Sequence, residues 1–383
     1  MARSVHAKTI YTGKRVIEDA YVGFDGTTIT TVSGRKRTDA LGSYEVVTPA
    51  FIDPHSHIGM FRAGEPAAES EGNEQMDSLM VLPDALDSIQ MDDQAFRDSI
   101  EMGVLYSCVV PGSGNIIAGR SAVIRHHAKN TSDALVTRSG IKAALGYNPM
   151  STVSWKGKRP STRMGAAAIL RAKLEEVRRK VQKYEKMPAK KRKEMTFSAE
   201  EELLRTILAG KERLRVHVHK IDDIALLVRL VDEYGLKVTV EHAGDVHQPE
   251  IYDELRKRKI PVVFGPVDSF AYKVELKHES WRNVRYLVES GVEYGLMTDH
   301  PVMPSRQLHH QTRWFIRLGL SRQEAVEVVT RRNAAVLGVS RILGTLEKGK
   351  WASFVCWNGD PFDLTAYPVA VFAEGELVFT DES

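Results

Sequence analysis

Residues 48–61 read TPAFIDPHSHIGMF, an apolar run that ends in a cluster of polar side chains. The apolar residues predict a buried strand, and Asp53, Pro54, His55 and His57 stand at its carboxyl end. Residues i and i+2 of a strand point to the same face, so the two imidazoles lie side by side. Two imidazoles placed in this way are able to hold one metal ion.

The strand that ends at residue 57 begins a long series of short apolar strands separated by amphipathic helices. Eight such strands precede residue 343: VVTPAFID, VLYSCVVP, SAVIRH, GIKAALG, RVHVHK, KVTVEH, PVVFGP and YGLMTD. This alternation predicts an α/β fold, a (β/α)8 TIM barrel over residues 49–342. Residues 1–48 and 343–383 carry short strands and turns, and they predict a small β-sandwich domain formed from both ends of the chain.

Composition narrows the class of function. The 383 residues contain 53 Lys and Arg against 50 Asp and Glu, a balance that argues against nucleic acid and anionic membranes as partners and favours a small-molecule substrate. No stretch resembles a signal peptide or a membrane span, so a soluble, cytoplasmic protein is expected. Cys108 and Cys356 lie in apolar runs and are predicted to be core residues rather than a disulfide.

Residues 168–213 form an unusually long insertion for a barrel crossover. The segment predicts two charged helices, the second beginning with a capping box of Ser198 and Glu201. The basic run from Lys190 to Lys193 is interpreted as a solvated loop or helix end. A homodimer formed through this insertion is plausible, but nothing in the sequence requires it.

Polar side chains recur at the carboxyl ends of the predicted strands, where the active sites of parallel barrels lie. Six of the 13 histidines fall at these positions inside apolar runs. A purely structural core does not explain this distribution, because buried imidazoles need polar partners. The strand-end set is His55, His57, Lys142, His217, His219, His242, Asp299 and His300.

The ordered motifs DPHSH, VHVH, VEHAGD and MTDHP resemble the metal-dependent amidohydrolase superfamily, and within it the uncharacterised amidohydrolases related to imidazolonepropionase. The flanks VVTPAFID and GTLEKGKWASFVCWNGDPFD resemble the entry to and exit from that family's barrel, so the resemblance spans nearly the whole chain. It implies that one divalent ion is held by His55, His57 and Asp299. A second ion would be held by His217 and His242.

The resemblance also implies the chemistry. A divalent ion, zinc being favoured, lowers the pKa of water towards 7, and the resulting hydroxide hydrolyses a C–N bond. The substrate would be a small amide, a cyclic amide or a dipeptide-like molecule. Asp299 would act as general base and then as general acid, and His242 is expected to be catalytic as well as a metal ligand.

The number of ions stays open at this stage, with one or two per chain. In binuclear relatives the strand-four lysine is carbamylated, and its new carboxylate bridges the two ions. Lys142 in SGIKAALGYNP is the corresponding lysine here. Tyr147 matches the tyrosine that supports the intermediate in dihydropyrimidinases, whereas a glutamate is expected there in the closer subgroup. His217 is preferred over His219 as a ligand. His219 and His300 are then expected to contact substrate or to support the ligands.

Loops after the strands give weaker indications of a substrate pocket. The turn VVPGSGNIIAGR offers backbone N–H groups near Asn115, and Arg163 with Arg159 offers guanidinium groups for a carboxylate. The acidic stretch 65–77 is interpreted as a lid or a solvated loop.

Two other functions remain open. A mononuclear deaminase of a heterocycle would use the same His and Asp residues, and an acid partner near His242, which the sequence does not locate, would favour it. A non-catalytic assembly protein, of the kind related to dihydropyrimidinase, is disfavoured because the ligand residues are all present.

Overall fold

The computed structural model describes residues 2–35, 39–150, 159–269 and 273–381. The strands are β1 (Arg3–Tyr11), β2 (Val16–Asp25), β3 (Thr28–Ser33), β4 (Ala40–Pro49), β5 (Phe51–Ser56), β6 (Val104–Val109), β7 (Ile117–Arg125), β8 (Leu135–Ala144), β9 (Leu214–Val218), β10 (Val238–His242), β11 (Val262–Phe264), β12 (Tyr294–Leu296), β13 (Phe354–Trp357), β14 (Pro368–Ala373) and β15 (Glu376–Thr380). The α-helices are α1 (Gln94–Glu101), α2 (Thr131–Ala134), α3 (Arg163–Lys186), α4 (Ala199–Leu208), α5 (Ile221–Tyr234), α6 (Glu250–Lys257), α7 (Val284–Ser290), α8 (Arg313–Arg317), α9 (Arg322–Glu327) and α10 (Asn333–Leu337).

Strands β5 to β12 form one eight-stranded sheet in chain order. Its two edges meet just beyond the strand ends, where the Asp299 amide donates to the His55 carbonyl (3.1 Å). Beside them, the Asn333 side-chain amide donates to the carbonyl oxygens of Ile52 (2.6 Å) and Leu296 (2.8 Å). The sheet is therefore a nearly closed barrel, which agrees with the predicted TIM-like fold.

Strand β7 departs from the predicted (β/α)8 pattern. It pairs antiparallel with both β6 and β8, whereas the remaining neighbours in the barrel sheet are parallel. Only residues 110–116 connect β6 to β7, and a connection this short cannot carry the chain back for a parallel crossover. The sequence pattern located this strand but could not give its direction.

The two ends of the chain form a second sheet, in the order β15-β14-β13-β4-β1-β2-β3. The predicted combination of N- and C-terminal strands is thus observed. Their strands are hydrogen-bonded in one continuous series, so the predicted β-sandwich is supported only in part. The sheet is folded over its own core, because Phe24 of β2 contacts Phe354 of β13 and Phe372 of β14 at ring distances of 5.5 and 5.8 Å. The domain boundaries near residues 48 and 343 stay a prediction.

Most barrel strands are buried on both faces, whereas residues 135–140 of β8 are partly exposed. Leu204 of α4, Leu227 of α5 and Leu255 of α6 belong to one continuous apolar core with the strands. The two helices predicted for the long insertion are α3 and α4, which pack against each other as a hairpin. Ser198 and Glu201 make the predicted capping box at the start of α4.

Cys108 and Cys356 are buried and carry no disulfide, as predicted. Within the described ranges, none of the helices combines the length and hydropathy that crossing a bilayer requires.

Candidate metal centre

The strand-end residues meet inside one end of the barrel. The carboxyl ends of β5, β8, β9, β10 and β12 lie together because these strands run parallel, and each delivers a polar side chain. His55, Lys142 and His217 are almost completely buried, and so is His242. Asp299 is slightly more open, with a side chain 15% exposed.

One group of possible metal ligands consists of His55, His57 and Asp299. The Oδ1 atom of Asp299 lies 3.4 Å from Nε2 of His55 and 3.2 Å from Nε2 of His57. The two imidazole rings are nearly perpendicular, with centroids 5.3 Å apart. The i, i+2 spacing therefore directs both Nε2 atoms at the same carboxylate oxygen, as the sequence predicts.

Hydrogen bonds fix which ring nitrogen of each histidine is available. Nδ1 of His55 lies 2.8 Å from Oε2 of Glu241, and Nδ1 of His57 lies 2.7 Å from the carbonyl oxygen of Val110. Because these oxygens only accept, each Nδ1 carries the proton and donates it. The lone pairs on the Nε2 atoms then face Asp299, in the tautomer that a metal ligand needs.

A second group consists of His217, His219 and His242. The His242 ring lies 4.3 Å from that of His217 and 4.6 Å from that of His219, between centroids. Both nitrogens of His217, Nδ1 of His219 and Nε2 of His242 have no hydrogen-bond partner among the described residues. Orphaned nitrogens are costly in a buried site, and a divalent cation would satisfy them. The residues therefore fit a metal ion.

The electrostatics favour the protonation states that bind cations. Burial lowers the pKa values of His217, His219 and His242 well below the ordinary histidine value, so these rings are neutral. Burial opposes ionisation of Asp299, but electrostatic attraction to the surrounding imidazole cluster, above all to His242, holds its pKa well below the ordinary value. Neutral imidazoles and an ionised carboxylate are the forms that bind divalent metals.

Lys142 lies at the edge of the first group. Its Nζ atom is 3.2 Å from Nε2 of His55, and the side chain is fully buried. Burial lowers the pKa of Lys142 to about 8, so roughly a tenth of the amine is uncharged at pH 7. An uncharged amine is the form that reacts with carbon dioxide to give a carbamate.

Two of the residues adopt left-handed backbone conformations that side chains other than glycine rarely use. His242 has φ +82° at the end of β10, and Asp299 has φ +54° after β12. Such conformations cost on the order of 1–3 kcal/mol and persist where the surroundings impose them. Here the turn keeps His242 inside the barrel beside Asp299, its Nδ1 lying 4.0 Å from Oδ2.

Sequence reasoning missed a buried carboxylate beneath the first group. Glu241 accepts from His55, from the Thr239 hydroxyl (2.5 Å) and from Arg215 (Nη2–Oε2 3.2 Å). Burial opposes ionisation, yet Arg215 and His55 lower the pKa of Glu241 to about 2. Period-2 spacing was an available signal, because Thr239 and Glu241 share one face of β10 and Arg215 shares a face of β9 with His217.

A second missed carboxylate, Glu275, lies beside the second group. Its Oε1 atom is 3.6 Å from Nε2 of His217 and 4.0 Å from Nε2 of His219, and the side chain is buried. Its Oε2 accepts from the backbone N–H of Tyr147 (3.0 Å). No sequence pattern indicated Glu275, because it lies in an irregular segment far from His242 along the chain.

The structure does not bring every predicted residue to the centre by its side chain. Tyr147 reaches Glu275 only through its backbone, and the residue is 42% exposed. Arg163 pairs with the buried Asp223 (Nε–Oδ1 2.8 Å) at the start of α3. His300 accepts from the Ser305 amide at Nδ1 (3.2 Å), and its carbonyl accepts from the His57 amide (2.9 Å).

The predicted anion-binding turn near Asn115 is occupied by the acidic loop instead. The Asn115 amide donates to the carbonyl oxygens of Glu74 (2.8 Å) and Asp77 (2.7 Å). The Gly114 amide donates to Oδ1 of Asn73 (2.7 Å). The turn therefore anchors the 65–77 loop through the Gly114 backbone N–H, which was predicted to face substrate, and through the side chain of Asn115. Part of the loop that contains Arg159, residues 151–158, falls outside the described residues.

Comparisons with known proteins agree with this geometry. A family model described as "Amidohydrolase family" matches residues 46–378. The protein "Amidohydrolase tasK" of Hapsidospora irregularis is 24% identical over 357 residues; the match covers 88% of this chain and about a third (36%) of that longer protein.

Solved structures with a similar fold include other amidohydrolases. An amidohydrolase from Thermotoga maritima MSB8 superimposes with a TM-score of 0.90 and 30% identity, covering 99% of this chain and all of that one. A prolidase complexed with N-methylphosphonate-L-proline has a TM-score of 0.63, 17% identity and full coverage of both chains, which shows a shared fold. The chain therefore belongs to the amidohydrolase family, a family of hydrolases that act on carbon–nitrogen bonds.

Proposed function

We propose that this chain is a metal-dependent amidohydrolase that hydrolyses a C–N bond in a small amide, cyclic amide or dipeptide-like substrate. The observation that carries the proposal is the pair of buried ligand groups at one end of the barrel, with Asp299 of the first group 4.0 Å from His242 of the second and Lys142 beside His55. One divalent ion would be held by His55, His57 and Asp299, and a second by His217 and His242. His219 competes with His217 for the second position, since both rings face it.

The proposed roles of the metal ion and of Asp299 follow from their charge and position. A bound divalent cation, for which zinc is our choice, supplies Lewis acidity and makes water a nucleophile near neutral pH. Asp299 is ionised and partly open to solvent, so it accepts a proton from the attacking water at a carboxylate oxygen. It then delivers that proton to the leaving nitrogen as the C–N bond breaks. The products are a carboxylic acid and an amine.

We propose that Lys142 is carbamylated and joins the two ligand groups. Its burial and lowered pKa support this assignment, because the reaction with carbon dioxide requires a neutral amine. The carboxylate of Glu241 pairs with Arg215. Among the described contacts, Lys142 is bonded to His55 and to no carboxylate.

A second candidate function is an aminohydrolase that releases ammonia from a heterocycle. Glu275 is the specific observation in its favour, because a buried carboxylate beside His217 and His219 is an acid partner that this chemistry uses. The imidazolonepropionase-related subgroup, with its cyclic amide substrates, is compatible with the first candidate.

We also propose a small-molecule substrate without nucleic acid or membrane partners, a cytoplasmic location, and self-association through the α3–α4 hairpin if a dimer forms.

The experiment that separates these functions is a product assay on a substrate panel. Zinc-loaded protein would be offered hydantoins, cyclic imides, dipeptides and amino-substituted heterocycles, with detection of new carboxylate and of ammonia. New carboxylate without ammonia supports the amidohydrolase, whereas stoichiometric ammonia supports the aminohydrolase. The Asp299→Asn protein serves as the negative control, and Asp253→Asn on the surface of α6 is the matched substitution.

A further inference from the structure

A third cluster of metal-binding side chains lies outside the barrel centre. It consists of Asp245, His247 and His278, and one ligand atom from each lies within 4.8 Å of the others. Asp245 and His247 belong to the loop after β10, and His278 belongs to residues 273–283, the segment that follows β11. None of these three residues contributes to the two ligand groups described above.

The geometry of this cluster resembles part of a coordination shell. Oδ2 of Asp245 lies 3.3 Å from Nδ1 of His278, close to the edge of about 3.4 Å that a tetrahedron has when metal–ligand bonds are about 2.1 Å. The His247 and His278 rings face one another, with centroids 4.1 Å apart and planes 38° apart. One ligand atom of each of the three side chains therefore already lies within 4.8 Å of the other two.

Local bonding prepares His247 and Asp245 for this role. Nδ1 of His247 lies 2.8 Å from the Asp245 carbonyl oxygen, so Nδ1 donates its proton and Nε2 keeps its lone pair. The Asp245 side chain is 1% exposed, and His278 is its one ion-pair partner among the described residues. A buried carboxylate without a lysine or arginine partner favours a cation.

We propose that Asp245, His247 and His278 form an accessory site for a divalent transition metal such as zinc. Two imidazoles and one carboxylate suit zinc, cobalt or nickel and suit calcium or magnesium poorly. The site joins the loop after β10 to the 273–283 segment. It is a structural clamp rather than a reaction centre.

The clamp has a consequence for the barrel centre. Asp245 already accepts from the His278 amide (2.5 Å), and the 273–283 segment also carries Glu275, whose carboxylate faces His217 and His219. A metal ion at the accessory site would hold this segment in place and so keep Glu275 beside the centre.

The test compares zinc content at equilibrium between the full-length wild-type chain and the His278→Ala protein. His278 is chosen because its side chain is 41% exposed, so its removal leaves the core intact. We expect His278→Ala to bind one zinc ion fewer per chain than the wild type. His247→Ala should show the same loss, and His127→Ala, a half-buried histidine outside the cluster, should show none. Equal zinc content in the wild-type and His278→Ala proteins would overturn the proposal.

Hydrogen exchange supplies a second, independent readout. Zinc should slow amide exchange in the 273–283 segment of the wild type, and this protection should be weaker in His278→Ala. Protection that is identical in both proteins would show that the clamp does not exist. Because both measurements are differences between variants in zinc binding, they remain decisive even if the proposed hydrolysis is not found.

Discussion

The carboxylate of Glu241 lies 2.8 Å from Nδ1 of His55, and both side chains are fully buried inside the barrel. This contact orients the ring so that Nε2 faces Asp299. Arg215 holds Glu241 from the other side through a 3.2 Å contact and also donates to the carbonyl oxygen of Pro54 (2.5 Å). The position of a proposed metal ligand therefore depends on a buried ion pair on two other strands.

Replacing Glu241 by Gln tests this dependence. We expect metal affinity to fall about 10- to 100-fold, because the charged acceptor for His55 is lost. The free energy of unfolding should also fall, by about 3–5 kcal/mol, because Arg215 is left buried without its counter-charge. Metal titration and chemical denaturation measure the two effects, with Glu254→Gln on the surface of α6 as control.

The double variant Glu241→Gln/Arg215→Met separates the two effects. Removing the unpaired charge should restore much of the lost stability, whereas metal affinity should stay low. Recovery of metal affinity together with stability would contradict the orienting role of Glu241.

Asp299→Asn should abolish proton transfer while leaving the fold intact. Asn cannot accept the proton from water, so turnover of a substrate identified in the panel should fall about 10²- to 10⁴-fold. Steady-state kinetics measure this effect, and thermal denaturation checks the fold. Turnover within a few fold of wild type would show that another group moves the proton.

Lys142→Met should remove one of the two central ions. The substituted side chain fills similar space but cannot form a carbamate, so no bridging carboxylate remains. Elemental analysis measures the ion count, and ¹³C NMR after incubation in labelled bicarbonate detects a carbamate in the wild type. An unchanged ion count with no carbamate signal would establish that Lys142 is an ordinary buried lysine.

Acid should destabilise the protein through His126, which belongs to neither of the two ligand groups. Burial lowers the pKa of His126 to about 3, and Nε2 contacts the Ser107 hydroxyl at 2.8 Å. Because the folded form binds this proton less readily than the unfolded form, stability falls as pH drops from about 6.5 towards 3. The slope is roughly 1.4 kcal/mol per pH unit within that window.

A His126→Gln protein should lose less stability than the wild type between pH 6 and pH 4. Denaturant titrations at both pH values, on metal-free samples of each protein, give the comparison. Identical pH dependence in the two proteins would exclude His126 as the cause.

Much of the barrel, and the proximity of the candidate ligand residues, was predictable from sequence. The apolar runs located the eight strands, and strand-end polarity selected His55, His57, His217, His242 and Asp299. This succeeded because parallel strands gather their carboxyl ends at one place, so order along the chain becomes proximity in space. The capping box at Ser198 was predictable because it depends only on residues three apart.

Other features were not predictable, for physical reasons. The direction of β7 depends on a short connection rather than on its apolar pattern. Glu275 reaches the centre from an irregular segment, and no periodicity describes such a path. The folding of the terminal strands into one sheet rests on long-range contacts such as Phe24 with Phe354. The sequence pattern also could not show that Asn115 binds the acidic loop.

The most direct test of the central claim is elemental analysis of the full-length chain, purified without chelator and then equilibrated with zinc. It would be compared with the His55→Ala/His57→Ala/Asp299→Ala protein, whose folding is checked by circular dichroism. We predict divalent metal in the wild type and a clear loss of ions from the variant. Equal metal content in two folded proteins, or no uptake by the wild type, would contradict the assignment of a metal centre to the ends of the barrel strands.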